Sequence, residues 1–225
     1  MSRQSIIGLK PICWLSSVWL ALLAHPLPAQ SHPHVFVDGG VDFVFDEKNL
    51  LSALLITWLY EEFETLYILS SYGMSVDSDG ELAEADRQEL IRYRNDWPTD
   101  FDGSAHLSID GKNIALEWPK NLDAELIDGR LRITFLRKLT NAVDLTISPA
   151  TLAFYESSYF FDFSVTQPPQ LHNAPVQCRA EVVPFMPDAQ GDALQVALTK
   201  LSREQTSDIE NVGALFADQI ELRCG

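Results

Sequence analysis

Positive charge is scarce in this sequence. Lys and Arg number 16 against 32 Asp and Glu, a formal net charge of -16 at pH 7. That excludes a generic nucleic-acid binder, because phosphate contacts call for a basic surface. Cysteine is scarcer still: three residues are too few for a disulfide framework. Only one long apolar run occurs and it is N-terminal, which excludes an integral membrane protein built of several spans. Catalytic signatures are lacking as well. There is no G-x-S-x-G, no H-E-x-x-H and no Gly-rich phosphate loop, so the sequence reads as a non-enzyme. What is present is ordinary globular composition, 46% hydrophobic and 21% charged.

Residues 1–29 read as a secretory signal peptide. Arg3 and Lys10 form a basic start, and Ile12 to Ala24 is a mostly apolar run of 13 residues. A membrane span needs roughly 20. Pro26 and Pro28 break any helix, and Ala29 supplies the small residue before the cut. The alternative is an uncleaved anchor. Cys13 is not in a lipobox, so no lipid anchor is expected. Processing would leave Gln30–Gly225 with 14 bases and 32 acids, a net -18. The expected location is the periplasm.

Export gives Cys178 and Cys224 an oxidising surrounding. Both lie in alternating, strand-like segments. A Cys178–Cys224 disulfide is expected, tying the last strand to an earlier one; the alternative is a two-thiolate metal site.

The mature chain reads as one α+β domain, antiparallel and β-rich, over residues 30–225. Val35, Val37, Val41, Phe43 and Phe45 recur at period two, with Gly39-Gly40 suggesting a bulge or bend. Leu50 to Leu59 reads as the partner of a hairpin. Residues 61–97 change period and read as an inserted helical hairpin. Its first helix would place Phe63, Leu66, Tyr67 and Ser70 on one face, and its second would turn Leu90 and Ile91 inward before Pro98. Strand patterns resume at 106–109 and 114–118 around Asp110-Gly111, at 125–127 and 131–136 around Asp128-Gly129, and at 143–147 and 152–165. The tail reads as a helix over about 191–205 and a second, short one over 210–217.

Three segments suggest chemistry. The first is Ser31-His32-Pro33-His34. Of five histidines, His25 falls in the leader, so His32 and His34 are half of the mature set. In an extended chain residues i and i+2 point to one side, and Pro33 stiffens the segment. Two imidazoles so placed suit a transition metal such as zinc, nickel, cobalt or copper. The alternative is a solvated tail. Carboxylates would have to complete the shell, and Asp38, Glu61, Glu62 and Glu156 are the candidates.

The second is the acidic turn at 75–86. Aligned to a calcium loop with Gly80 at the bend, Asp77 and Asp79 take positions three and five, Glu81 offers a carbonyl, and Asp86 closes the loop. Ser75 replaces the first Asp, and Asp86 is shorter than the usual Glu, so calcium binding would be weak and an empty turn is the favoured reading. The third is the aromatic segment Phe154 to Phe163, whose density suits core packing, with Glu156 out of place among the rings.

These segments in order resemble the bacterial family catalogued as domain of unknown function 1007. The resemblance is carried by His32-Pro33-His34-Val35-Phe36-Val37-Asp38, Trp58-Leu59-Tyr60-Glu61-Glu62-Phe63 and Asp77-Ser78-Asp79-Gly80. It continues through Asp110-Gly111-Lys112, Asp128-Gly129-Arg130-Leu131, Tyr155-Glu156-Ser157-Ser158-Tyr159 and Phe216-Ala217-Asp218 before Cys224. Glu61 and Glu156 stand where the family commonly carries Asp. The resemblance implies a periplasmic accessory of a nickel-, cobalt- or zinc-type transport system, with an inner-membrane metal transporter as partner. Two other readings stay open: a carrier of a small organic ligand with the aromatic segment as pocket wall, and a non-catalytic partner that docks on a membrane protein.

Overall fold

The opening alternation becomes β1 (Val35–Phe45), which pairs antiparallel with β2 (Leu51–Tyr60). Asp46 makes the hairpin: its Oδ1 accepts from the Lys48 and Leu50 amides, both at 2.9 Å. The computed structural model describes residues 33–77, 80–96, 103–201, 205 and 207–225, which fall in one compact unit, Ser31–Gly225. Among them are eleven strands and three helices. The fold is α+β with mostly antiparallel sheets.

The bulge expected at Gly39-Gly40 is not there. Gly39 pairs with Trp58 and Gly40 with Thr57 without interruption, and the register shifts at Val44/Phe45 instead. Gly39 has another reason. A Cβ on it would lie 3.2 Å from the Phe154 ring, so its missing side chain lets the second sheet approach.

The remaining strands are β3 (Ala105–Ile109), β4 (Lys112–Asn113), β5 (Lys120–Ile127), β6 (Arg130–Val143), β7 (Ala150–Phe154), β8 (Phe161–Val165), β9 (Leu171–His172), β10 (Arg179–Val183) and β11 (Gln219–Arg223). One sheet runs β5-β6-β2-β1-β8 with β9 also on β1; the other runs β10-β11-β7-β3-β4. Their inner faces share one apolar cluster, with Phe43, Ile56 and Phe135 from the first sheet and Leu107, Leu152 and Ile220 from the second, all buried. Continuous burial of this kind is the main favourable contribution to folding.

Four expectations need correction. The return strand expected at 114–118 stays beside β3 only as far as Ile114, whose amide donates to Leu107 O at 2.8 Å; residues 115–118 do not follow it. They leave for the first sheet, where Glu117 N donates to Lys138 O at 2.7 Å and Thr140 N to Ala115 O at 2.9 Å. The strand expected at 143–147 ends at Val143, because Asp144 Oδ1 accepts the Thr146 amide at 2.9 Å and turns the chain. The span 152–165 breaks into β7 and β8 around a turn at 155–160. And the first sheet is not wholly antiparallel: β8 and β9 both run parallel to β1.

The inserted hairpin is present as α1 (Glu62–Ser71) and α2 (Glu84–Arg94); Pro98 lies outside the described residues. Arg87 Nε donates to Ala124 O at 2.9 Å, and Arg94 Nη2 donates to the Tyr60 hydroxyl at 2.5 Å, so α2 is tied to both β5 and β2. Leu90 is buried as expected. Helix α1 is turned the other way round. Thr65, Ile68 and Leu69 face the core, and Thr65 Oγ1 accepts the Leu131 amide at 2.9 Å. Phe63, Leu66 and Tyr67 face solvent. Apolar residues occupy both sides of this helix, so its periodicity has no single phase.

The tail helix α3 (Ala189–Leu198) starts earlier than expected because Asp188 caps it, accepting from the Gln190 and Gly191 amides at 3.0 and 2.8 Å. Residues 202–204 of the expected helix lie outside the described residues. In place of a helix at 210–217 there is a single 3-10 turn, Val212–Leu215. Gly213 explains the close packing there, since a Cβ on it would lie 2.0 Å from the Glu156 carbonyl oxygen.

Candidate functional site

Pro33 and His34 lead directly into β1. His34 N donates to Phe160 O at 2.9 Å, and its half-buried ring lies 4.9 Å from the Phe160 ring, centroid to centroid. Alternation along β1 sends Val35 and Val37 into the core and puts His34, Phe36 and Asp38 on the other face. His32 lies outside the described residues.

Asp38 is not a free oxygen donor. Its Oδ2 is 2.8 Å from Arg130 Nη1, and the same guanidinium donates to Tyr60 O at 2.8 Å and Leu59 O at 3.1 Å. The cation closes the end of the β1–β2 ladder, and Asp38 neutralises it.

Glu156 is also engaged. Its Oε1 accepts from Ser157 Oγ at 3.2 Å and the Ser158 amide at 3.0 Å, and its Oε2 accepts from Ser158 Oγ at 2.7 Å and the Phe160 amide at 3.0 Å. Burial disfavours its charged form, but the bonds from Ser158, Phe160 and Ser157 outweigh burial and hold the carboxyl below its ordinary value. Tyr155-Glu156-Ser157-Ser158-Tyr159 is therefore a turn closed on a carboxylate, with Tyr159 at φ 62. The acid that looked misplaced among aromatics is what breaks the aromatic strand.

Glu61 and Glu62 stand where β2 becomes α1. Glu61 N donates to Phe36 O at 3.2 Å, and its own carbonyl accepts from Thr65 N at 2.9 Å. Neither side chain caps the helix; Glu61 is half-buried and Glu62 exposed. Among the described residues no three His, Cys, Asp or Glu side chains converge as a metal site of protein ligands alone would require.

In the acidic turn Asp77 serves the loop itself. Its Oδ1 accepts the Glu81 amide at 3.0 Å, its amide donates to Glu81 O at 3.0 Å, and Val76 bridges Leu82. Asp86 sits in the first turn of α2. Asp79 lies outside the described residues.

Cys178 and Cys224 are joined as a disulfide across 46 residues. The β10–β11 register pairs Arg179 with Arg223, which puts the two cysteines opposite each other at the ladder's end.

Sequence reasoning missed two further groupings. His106 stacks on Tyr155 at 3.6 Å between centroids, with Nε2 3.1 Å from Tyr155 O. A cleft of about 250 Å³ opens beside the aromatic segment, lined by Tyr159, Asp162, Phe185, Gln195, Phe216 and Asp218 among others. Asp218 organises it, accepting the Val165 amide at 2.9 Å and the Phe185 amide at 2.8 Å. Burial, then the neighbouring Asp218, pushes the Asp162 carboxyl up. Burial, then Asp162, pushes the Tyr159 hydroxyl up to about 12. Phe216-Ala217-Asp218 was legible as a motif, but not as the partner of residues some fifty positions earlier.

Among the described residues no helix is long and apolar enough to cross a membrane. No curated protein matches the chain. A family model matches residues 17–224, nearly the whole chain. The chain therefore belongs to the family described as "Protein of unknown function (DUF1007)".

Proposed function

We propose that the protein is an exported periplasmic accessory of a nickel-, cobalt- or zinc-type transport system, which takes a transition-metal ion as cargo on His32 and His34 and docks on an inner-membrane transporter. The observation that carries this reading is the His-Pro-His segment, whose Pro33 and His34 run into β1, with His34 tied by its backbone to Phe160. A disulfide is the usual companion of export, and Cys178–Cys224 supports that part.

The donor set narrows from six to four. Asp38 is occupied by Arg130, and Glu156 by its own turn. His32 and His34 remain, with Glu61 and Glu62 beside the same end of β1. Two imidazoles without a closed cage leave coordination positions for water or for a partner's side chains, which suits transfer better than storage. Neutral imidazole is the ligand, so the ion leaves as the histidines protonate.

The test is elemental analysis of the exported protein, isolated without an affinity tag. Zinc, nickel, cobalt or copper near one equivalent supports the reading; protein free of all four contradicts it.

The carrier reading has one observation in its favour, the cleft beside Tyr159. Its two carboxylates and aromatic walls suit a small cation. Calorimetry with small amines tests it, and no heat of binding sets it aside.

A further inference from the structure

Helix α1 presents an apolar face with nothing from the described chain covering it. Phe63 is 73% exposed, Leu66 63% and Tyr67 58%. They stand at i, i+3 and i+4, so they form one contiguous patch rather than scattered residues. The helix has already spent Thr65, Ile68 and Leu69 on the core, so this is a second apolar stripe on a helix whose first is already covered.

Along the helix and the turn that follows it the charge is of one sign, and the cations beside its ends, Arg130 and Arg94, are committed to Asp38 and to the Tyr60 hydroxyl. Residues 61–86 contain eight acids and no Lys, Arg or His. At 100° per residue Glu62 flanks Leu66 on one side and Glu64 flanks Tyr67 on the other. Both lie in the first turn, and no basic residue stands in the last.

We infer that this face of α1 docks a protein segment whose apolar side chains are flanked by Lys or Arg. Apolar anchors fill the Phe63–Leu66–Tyr67 surface, and the basic flanks meet the acidic rim, which adds steering and selectivity. A second copy would bring the same acidic rim against itself. An anionic lipid surface would be repelled by the same rim. None of the three contact side chains is a metal donor, so the inference goes beyond the metal reading and stands if that reading fails.

The test places a photo-crosslinking phenylalanine analogue at Tyr67 in the full chain, made in its native cells, with the same analogue at Ile147 and Val176 as fully exposed controls. The crosslinked peptide is mapped by mass spectrometry. The expected result is an adduct several-fold above both controls, on one protein segment bearing Lys or Arg beside apolar residues. It should fall with added salt and fall again in Phe63→Ser/Leu66→Ser, whose melting temperature should match the parent's because both side chains are exposed. An adduct with a second copy, with lipid, with residues 1–29 of the same chain, or with a segment lacking basic residues overturns the inference. So does a yield no higher than at the controls.

Discussion

His34 and Glu156 are held to one residue. The His34 amide donates to the Phe160 carbonyl, and the Phe160 amide donates to Glu156 Oε2, at 2.9 and 3.0 Å. The carboxylate that ends the aromatic strand thereby fixes the backbone of His34 at the start of β1. Its role is positional, and removing its charge acts on the fold first.

Glu156→Gln should lower stability by about 1–3 kcal/mol at neutral pH, since it weakens charge-assisted bonds to two amides and two hydroxyls. The sign follows from the depressed carboxyl. Its contribution is fully present above the ordinary Glu range and is lost as pH falls through the folded value. Urea unfolding at pH 7 and pH 3 should show the gap between parent and variant closing in acid. An equal gap at both would place the effect elsewhere.

Asp162 works in the opposite sense. Burial and Asp218 raise its carboxyl, so the folded chain holds that proton more tightly than the unfolded one. Its ionisation opposes folding at neutral pH and not below the unfolded value. Asp162→Asn should therefore stabilise the protein modestly at pH 7 and leave it unchanged near pH 3. Melting temperatures at the two pH values read this directly, and a neutral-pH loss would contradict it.

How much of this was legible in the sequence depends on what each pattern encodes. Alternation in Val35–Phe45 and the apolar run at Leu50–Leu59 gave the right strands, because each buries at least every second residue. Neither carries information on which distant strand pairs with them, so the parallel β1–β8 contact stayed hidden. Helix α1 was found but with the wrong face inward, since Phe63, Leu66 and Tyr67 compete with Thr65, Ile68 and Leu69. At the candidate site the histidines and acids were visible as residue types. Their prior commitments were not: Arg130 claims Asp38 from 92 positions away, and Ser158 claims Glu156 from two. The cysteine pair was readable because the expected export and the strand pattern pointed to the same bond.

Cys224→Ser should lower stability by about 2–4 kcal/mol, the range for a crosslink closing a loop of this length. Denatured exported protein should show no free thiol without reductant. Two titratable thiols would mean that the bond does not form in the exported chain.

Intact mass of the exported protein should correspond to a chain starting at Gln30, or to its pyroglutamate form. A mass that retains residues 1–29 would contradict the processed, periplasmic reading.

The central claim is that His32 and His34 carry the cargo ion. Calorimetry with zinc, nickel, cobalt and copper on the mature protein and on His32→Ala/His34→Ala tests it most directly. The parent should bind at least one of these ions, more weakly as pH falls from about 7 to 5.5, because free histidine titrates near ~6.5. The double variant should lose at least tenfold in affinity, about 1.4 kcal/mol. A double variant that binds every metal as tightly as the parent, or a parent that binds none, contradicts the account.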